Sequence, residues 1–314
     1  MKLTIILPTC RPLHLSATLD SLAKCKLPEN YDRLIIIENG TPKPTLENVI
    51  DNASPRLNIS YMHCQEGNKS NALNYVINTL EENQLLYLTD DDVQFDEDLL
   101  IHYTAVAKDK ESGFVFGGRI TPDASSPPEP EIEPFIPRSM TGYPRHASVD
   151  LEQTFFIGSN WAVFSDDVKR LGGFDTRFGP GSPWRATGQE TSMMRTMRAA
   201  GFTFLFIENA SVYHKIEPEQ YSAEFVKKRQ FRHGVGAGLH HRISNGSPYN
   251  FTPPLKIIMK SAICNLARPA TRLLAPKKIY YRVLFRSHFL NGFLSTWCGK
   301  VPPKNSFKFF TSVK

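Results

Sequence analysis

The sequence predicts an α/β fold, a mostly parallel sheet flanked by helices, followed by a basic and mainly helical C-terminal extension. Two observations carry the first part. Apolar runs of strand length alternate with helix-length segments at the spacing of βαβ units, which give parallel strands joined by right-handed crossovers. Runs such as Leu85 to Leu88 are continuously apolar, as strands buried on both faces are. A third observation sets the tail apart: no Asp or Glu occurs after Glu224.

In chain order, Leu3 to Leu7 reads as a strand, and His14 to Ala23 as a helix with apolar positions at Leu15, Leu19, Leu22 and Ala23. Leu34 to Glu38 is a second strand and Leu57 to Met62 a third. A helix over Ser70 to Leu80, a strand over Leu85 to Leu88, a helix over Asp98 to Ala107 and a short strand over Phe114 to Gly117 follow. From Thr121 to Asp150 seven prolines rule out a long helix. A loop of that length is expected to be a mobile lid or binding loop. FFIGSNWAVF then resumes as a strand, Asp166 to Leu171 and Thr191 to Ala200 as helices, and FTFLFIENASVYH as one or two closing strands. These boundaries give an α/β unit over residues 1–220 and an extension over 221–314.

Charge is divided along the chain. Seventeen of the 37 Lys and Arg lie after Glu224, leaving 20 against 31 acidic residues before that point. A cationic tail interleaved with Tyr280, Tyr281, Phe285 and Phe289 suits an anionic surface, membrane lipid or nucleic acid. Lys278, Arg282 and Arg286 recur every four residues and form one stripe on a helix, with Ile279, Val283, Leu284 and Leu290 on an apolar side. Such a helix can lie in a bilayer interface or pack on the acidic half of the chain. The five cysteines are scattered and never in CxxC spacing, which argues against a disulfide framework or zinc site and fits a reducing compartment. The apolar run before Pro8 is too short for a signal peptide, and no stretch of spanning length follows. A cytoplasmic protein, free or peripheral on the inner face of a membrane, is expected.

Chemistry concentrates in LLYLTDDDVQFDEDLL, where Asp90, Asp91 and Asp92 close a buried strand. Ligands of parallel sheets bind beyond the carboxyl ends of the strands. Three adjacent carboxylates repel one another and become tolerable around a hard cation, Mg²⁺ or Mn²⁺. A solvated acidic turn before the next helix explains the local sequence equally well. IILPTCRP sets Pro8, Thr9, Cys10 and Arg11 past the first strand, as a plain turn or as a nucleotide contact with Arg11 on phosphate. Glu38 ends the second strand, either in a turn or as an acceptor for a base or ribose. Lys69 starts a helix whose ammonium and free N–H groups would suit a pyrophosphate, although an ordinary helix terminus reads the same. Glu190, after a loop carrying Trp184 and Arg185, is a helix-dipole partner or a general base. His214 is a core-edge histidine or part of a metal site.

The order of these stretches is more specific than any one of them. TIILPTCRP, LIIIENGTP, GNKSNALN, LTDDDV, FVFGGRI, FFIGSNWAVF, LGGFDTRFG, GQE and SVYH follow one another over roughly residues 2–216. The set resembles the family 2 glycosyltransferases of the GT-A (Rossmann-like) fold. That resemblance implies an inverting, metal-dependent catalytic domain over residues 1–220 that takes a nucleotide-diphosphate sugar, UDP-linked by family habit. By position it implies donor contacts from Pro8, Thr9, Arg11, Glu38, Lys69, Asn74, Asp90 and Asp91, and Mn²⁺ or Mg²⁺ on Asp90, Asp92 and His214 with Asp92 as the direct ligand. Gly158, Ser159, Asn160, Trp184 and Asp175 fall on the acceptor and sugar side, and Glu190 matches the catalytic base. Gln189 stands where the family usually has an acid, so Glu190 would remove the proton of the acceptor hydroxyl alone. The acceptor would be a sugar, a lipid-linked carrier or a small molecule. Two other classes are open: a binding module delivering the tail to nucleic acid, and a metal-dependent nucleotidyltransferase, although LPTCRPLHL lacks the glycines of the loop such enzymes use.

Overall fold

The computed structural model describes residues 1–10, 13–144, 155–244 and 252–299; Arg11 and the end of the Pro-rich segment, residues 145–150, lie outside them. The first half contains β1 (Lys2–Thr9), α1 (Leu15–Lys24), β2 (Tyr31–Asn39), α2 (Pro44–Asp51), β3 (Ile59–Cys64), α3 (Lys69–Thr79) and β4 (Gln84–Leu88). β1 is buried from Leu3 to Thr9 and β4 throughout, which is why both read as unbroken apolar runs. β2 pairs in parallel with β1 and β3, and β4 in parallel with β1. The carboxyl ends of these four strands therefore open at one edge.

The second half adds β5 (Val93–Phe95), α4 (Leu99–Ala107), β6 (Phe114–Ala124), α5 (Arg138–Thr141), β7 (Trp161–Phe164), α6 (Ser165–Arg170), α7 (Gln189–Ala199) and β8 (Thr203–Ile216). One sheet of eight strands results, in the order β3-β2-β1-β4-β7-β6-β8-β5. It is less uniformly parallel than the βαβ reading suggests. β6 and β8 are parallel, but β4–β7, β6–β7 and β5–β8 are antiparallel. FFIGSNWAVF is a strand only from Trp161 onward, because Ile157 to Asn160 form a turn closed by the Asn160 N–H to Ile157 O bond of 3.1 Å.

The Pro-rich segment is not a free loop over its described part. β6 continues to Ala124, α5 supplies one helical turn, and Ile132, Ile136 and Met140 are buried in a second apolar cluster with Ile216, Leu284 and Phe285. Proline forbids long helices but not short buried turns.

Three helices end the described chain: α8 (Ala223–Ser244), α9 (Leu255–Leu274) and α10 (Lys277–Ser295). α10 presses Leu284, Phe285, Leu290 and Phe293 inward, while Lys278, Arg282 and Arg286 form the exposed stripe that their spacing predicts. Gly234 of α8 and Gly292 of α10 permit the close crossing, since a Cβ on either would overlap backbone of the other helix. Of the two expectations for this helix, its apolar side meets the second, packing, against α8 as well as the acidic half, and α9 packs on α10 in turn. Among the described residues no helix is long and apolar enough to cross a membrane.

Candidate active site

The carboxyl ends of β1, β2 and β4 border a cleft of about 330 Å³ whose lining includes Thr9, Asn39, Lys69, Asp90, Asp91, Asp92, Gly158, Ser159, Glu190, His214 and Arg229. Ligands of α/β sheets sit at such an edge. Charge is paired across it. Lys69 donates to Asp90 Oδ1 at 2.5 Å and lies 3.5 Å from Glu190 Oε1. Burial opposes the ammonium charge, but Asp90 and Glu190 outweigh it and hold Lys69 above the ordinary lysine value. Asp91 accepts from Thr9 Oγ1. Burial pushes its carboxyl up to about 7; the Thr9 bond opposes the shift, and the charges of Asp92 and Asp90 add to it.

Asp92 and His214 face each other, Oδ1 to Nε2, at 3.4 Å. The three-residue β5 brings them together: Val93 is in register with His214, and Lys215 N–H donates to Asp92 O at 2.8 Å. Burial works to raise the Asp92 carboxyl and to lower the His214 imidazole, yet each holds the other charged, so Asp92 falls below and His214 rises above its usual range. The site fits a divalent cation on two counts. Among the described residues Asp92 Oδ1 is buried with no close hydrogen bond and faces only the His214 ring at 3.4 Å. His214 Nδ1 donates to Ser139 O at 2.9 Å, the outward hydrogen bond that fixes a metal-ligating histidine, and an ion at Nε2 would displace the proton that this nitrogen holds opposite Asp92. Asp90 fits less well, because Lys69 occupies its Oδ1, and among the described residues no three acid, His or Cys side chains converge.

Glu190 lies in the first turn of α7, and its Oε1 accepts from Gln189 Nε2 at 3.0 Å. A second cavity, of about 370 Å³, shares Ser139, Ile157, Gly158, Glu190 and Arg229 with the first and adds Arg138, Gln230 and His233. Glu190 thus stands between two spaces. Arg229 of α8 also faces both, and its guanidinium has no hydrogen bond or ion pair among the described residues. Burial and the neighbouring Arg232 disfavour its charge, which Glu190 and Asp90 partly support.

Comparison with known proteins decides the family. Residues 4–172 match the model of "Glycosyl transferase family 2". The chain belongs to that family. It is a glycosyltransferase with the GT-A fold. A Rhizobium meliloti (strain 1021) protein described as "Succinoglycan biosynthesis protein ExoM" is 25% identical over 235 residues, which are 73% of this chain and 72% of that one. Among solved structures, the mannosyltransferase PcManGT from Pyrobaculum calidifontis, in complex with GDP-Man and Mn²⁺, superposes with a TM-score of 0.54 at 13% identity over 90% of this chain and 85% of its own. S. aureus TarS 1-349 in complex with UDP-GlcNAc gives 0.52 at 14% identity over 100% of both chains.

Within this glycosyltransferase most of the expected residues meet at the cleft: Pro8, Thr9, Lys69, Asp90, Asp91, Asp92, Gly158, Ser159, Glu190 and His214. Others are used elsewhere. Asn160 is fully buried, its Oδ1 accepting from Tyr87 and Tyr103 at 3.0 and 2.9 Å and its Nδ2 donating to the carbonyls of Arg119 and Ala210. Asn74 clasps the backbone N–H and C=O of Phe174. Asp175 is tied to Arg177 at 2.6 Å, and Trp184 packs beside Phe178 and Val235. Glu38 is buried, accepting from Tyr61 OH at 2.5 Å and Lys43 N–H at 2.8 Å. The N–H groups of Lys69 and Asn71 bond to Pro180 O and Asn68 Oδ1, so the start of α3 offers the cleft an ammonium rather than those two amides. Sequence reading missed Arg229, Ser139, and Asn39, whose buried Oδ1 has no partner among the described residues.

Proposed function

We propose that the protein transfers a sugar from a nucleotide-diphosphate donor to an acceptor hydroxyl with inversion, using Glu190 as general base. The observation that carries this reading is the place of Glu190 on the wall common to the two cavities. The donor occupies the aspartate-lined cleft and the acceptor the second space. An acceptor hydroxyl there hands its proton to Glu190, while Gln189 and Lys69, at 3.0 and 3.5 Å from Oε1, fix the carboxylate in position. Lys69 and Arg229 bring positive charge to the diphosphate, where negative charge grows as the sugar leaves. Asn39 and Asp91 lie where a ribose or base would meet the strand ends.

Asp92 and His214 would hold the divalent ion, Mn²⁺ or Mg²⁺, and when bound it neutralises charge on the departing diphosphate. The manganese named with the Pyrobaculum calidifontis mannosyltransferase supports a metal of this kind. UDP-sugars and GDP-sugars are the first donors to consider, since the solved neighbours hold UDP-GlcNAc and GDP-Man. A succinoglycan-biosynthesis relative supports an acceptor that is a growing polysaccharide or its lipid-linked precursor. The catalytic unit assigned to residues 1–220 extends into α8, because Phe225 and Arg229 line the cleft. A panel of nucleotide-sugars, assayed for nucleoside-diphosphate release with and without Mn²⁺, tests the proposal. One donor is expected to be consumed in a metal-dependent way; no turnover and no binding of any member would defeat it.

A further inference from the structure

α9 is amphipathic in the inverted sense. Its inward side is polar: Ser261 and Asn265 bond to Asn291 Oδ1 of α10 at 2.7 and 2.9 Å, and Asn291 Nδ2 returns a bond to Asn265 at 3.2 Å. Its outward side is apolar. Leu255, Met259, Ile263, Leu266 and Leu273 recur at spacings of three, four and seven, which place them on one face of a helix. Leu266, Leu273 and Leu274 are 80, 82 and 86% exposed. Of the twelve exposed large hydrophobic side chains among the described residues, seven lie on this helix, so the patch is contiguous rather than scattered. A contiguous apolar surface of this kind marks an interaction site.

Charge says which partner. A cavity of about 600 Å³ between α8, α9 and α10 is lined by Lys227, Arg268, Arg272 and His288 together with Leu273 and Leu284, and by no carboxylate. The guanidinium groups of Arg268 and Arg272 have no hydrogen bond or ion pair among the described residues. Lys256 and Lys260 are exposed on the same helix. Lys227 is paired with Glu224 at the start of α8, but α9 and α10 carry no Asp or Glu, and their cations beside an apolar face complement anionic phosphate above hydrocarbon.

We infer that α9 lies in the interface of an anionic phospholipid bilayer, its leucine face among the acyl chains and a lipid phosphate in the Arg268–Arg272 cavity. α10 packs on both this helix and α8, and Arg229, Gln230 and His233 of α8 line the two catalytic cavities, so membrane attachment is separated from the chemistry by one helix. The inference does not rest on the identity of the donor or on Glu190. The test is flotation of the full-length protein with vesicles of phosphatidylcholine alone or mixed with phosphatidylglycerol. The double variant Leu266→Glu/Leu273→Glu and the pair Arg268→Gln/Arg272→Gln are run alongside, with molar mass by light scattering. Wild type should float only with anionic vesicles and less so in high salt. The leucine variant should bind roughly tenfold or more weakly, and the arginine variant should lose the preference for anionic lipid, both with circular dichroism unchanged. Failure of wild type to float at low salt, or undiminished binding by the leucine variant, overturns the inference. So does a wild-type dimer that the leucine variant dissolves without any vesicle binding, because the face would then belong to a second copy of this chain.

Discussion

Gly158 is what makes room for Glu190: a Cβ built at residue 158 would stand 2.3 Å from the Glu190 Oε1 position and 2.6 Å from its carboxyl carbon. The proposed base is therefore seated by the absence of a side chain on the turn before β7 as much as by its own helix. Gly158→Ala should push the carboxylate out of place while leaving the fold intact. A displacement near 1 Å in a positioned group costs about 10² in rate. Transfer should fall by about that factor, with a melting temperature close to that of wild type.

Asp92 and His214 carry the metal claim. Asp92→Asn keeps the size of the side chain and removes the charge a divalent ion requires. Donor affinity, measured by titration with and without Mn²⁺, should lose its metal dependence, and transfer should fall by about 10² or more. EDTA should inhibit wild type and leave the residual activity of the variant unaltered. Metal-independent transfer by wild type would remove Asp92 and His214 from this role.

Arg229 should show a conflict between stability and function. Its charge is disfavoured by burial and by Arg232, so Arg229→Gln is expected to leave the melting temperature unchanged or raised. The same change removes a cation from the proposed diphosphate site. A charge-assisted hydrogen bond contributes about 1.5–3 kcal/mol, so donor affinity should weaken by roughly 10- to 100-fold.

Asn160 should behave in the opposite way. Asn160→Ala leaves two buried tyrosine hydroxyls and two carbonyls without the partners they have now. Stability should drop by about 3 kcal/mol or more in denaturant unfolding. Transfer by the remaining folded protein should be retained, because the amide does not reach the cleft.

The contrast between these two residues shows what the sequence could and could not disclose. Strands such as β1 and β4 were legible because burial on both faces writes itself as continuous apolar runs. The order of motifs placed Lys69, the three aspartates, Glu190 and His214 at one site. Whether an asparagine faces a ligand or a core has no local signature, so Asn74 and Asn160 read as site residues while Asn39 does not. Arg229 sits within the run KKR and reads as one more charge of the cationic tail, whereas α8 sets it on the walls that Glu190 also lines. β5 has three residues and exists only because β8 pairs with it. Helical periodicity gave α10 an apolar side but could not say that α8 covers it, nor that the next helix in toward the N-terminus, α9, is the one left bare.

The central claim, that Glu190 removes the acceptor proton, is tested most directly by Glu190→Gln. Donor binding and transfer are to be measured on the same preparation. Loss of a general base costs about 10²–10⁴ in rate. Transfer should fall within that range while donor affinity stays within a few-fold of wild type, since Glu190 is assigned to the acceptor side of the shared wall. Transfer by the glutamine variant at the wild-type rate, with donor binding intact, would contradict the account.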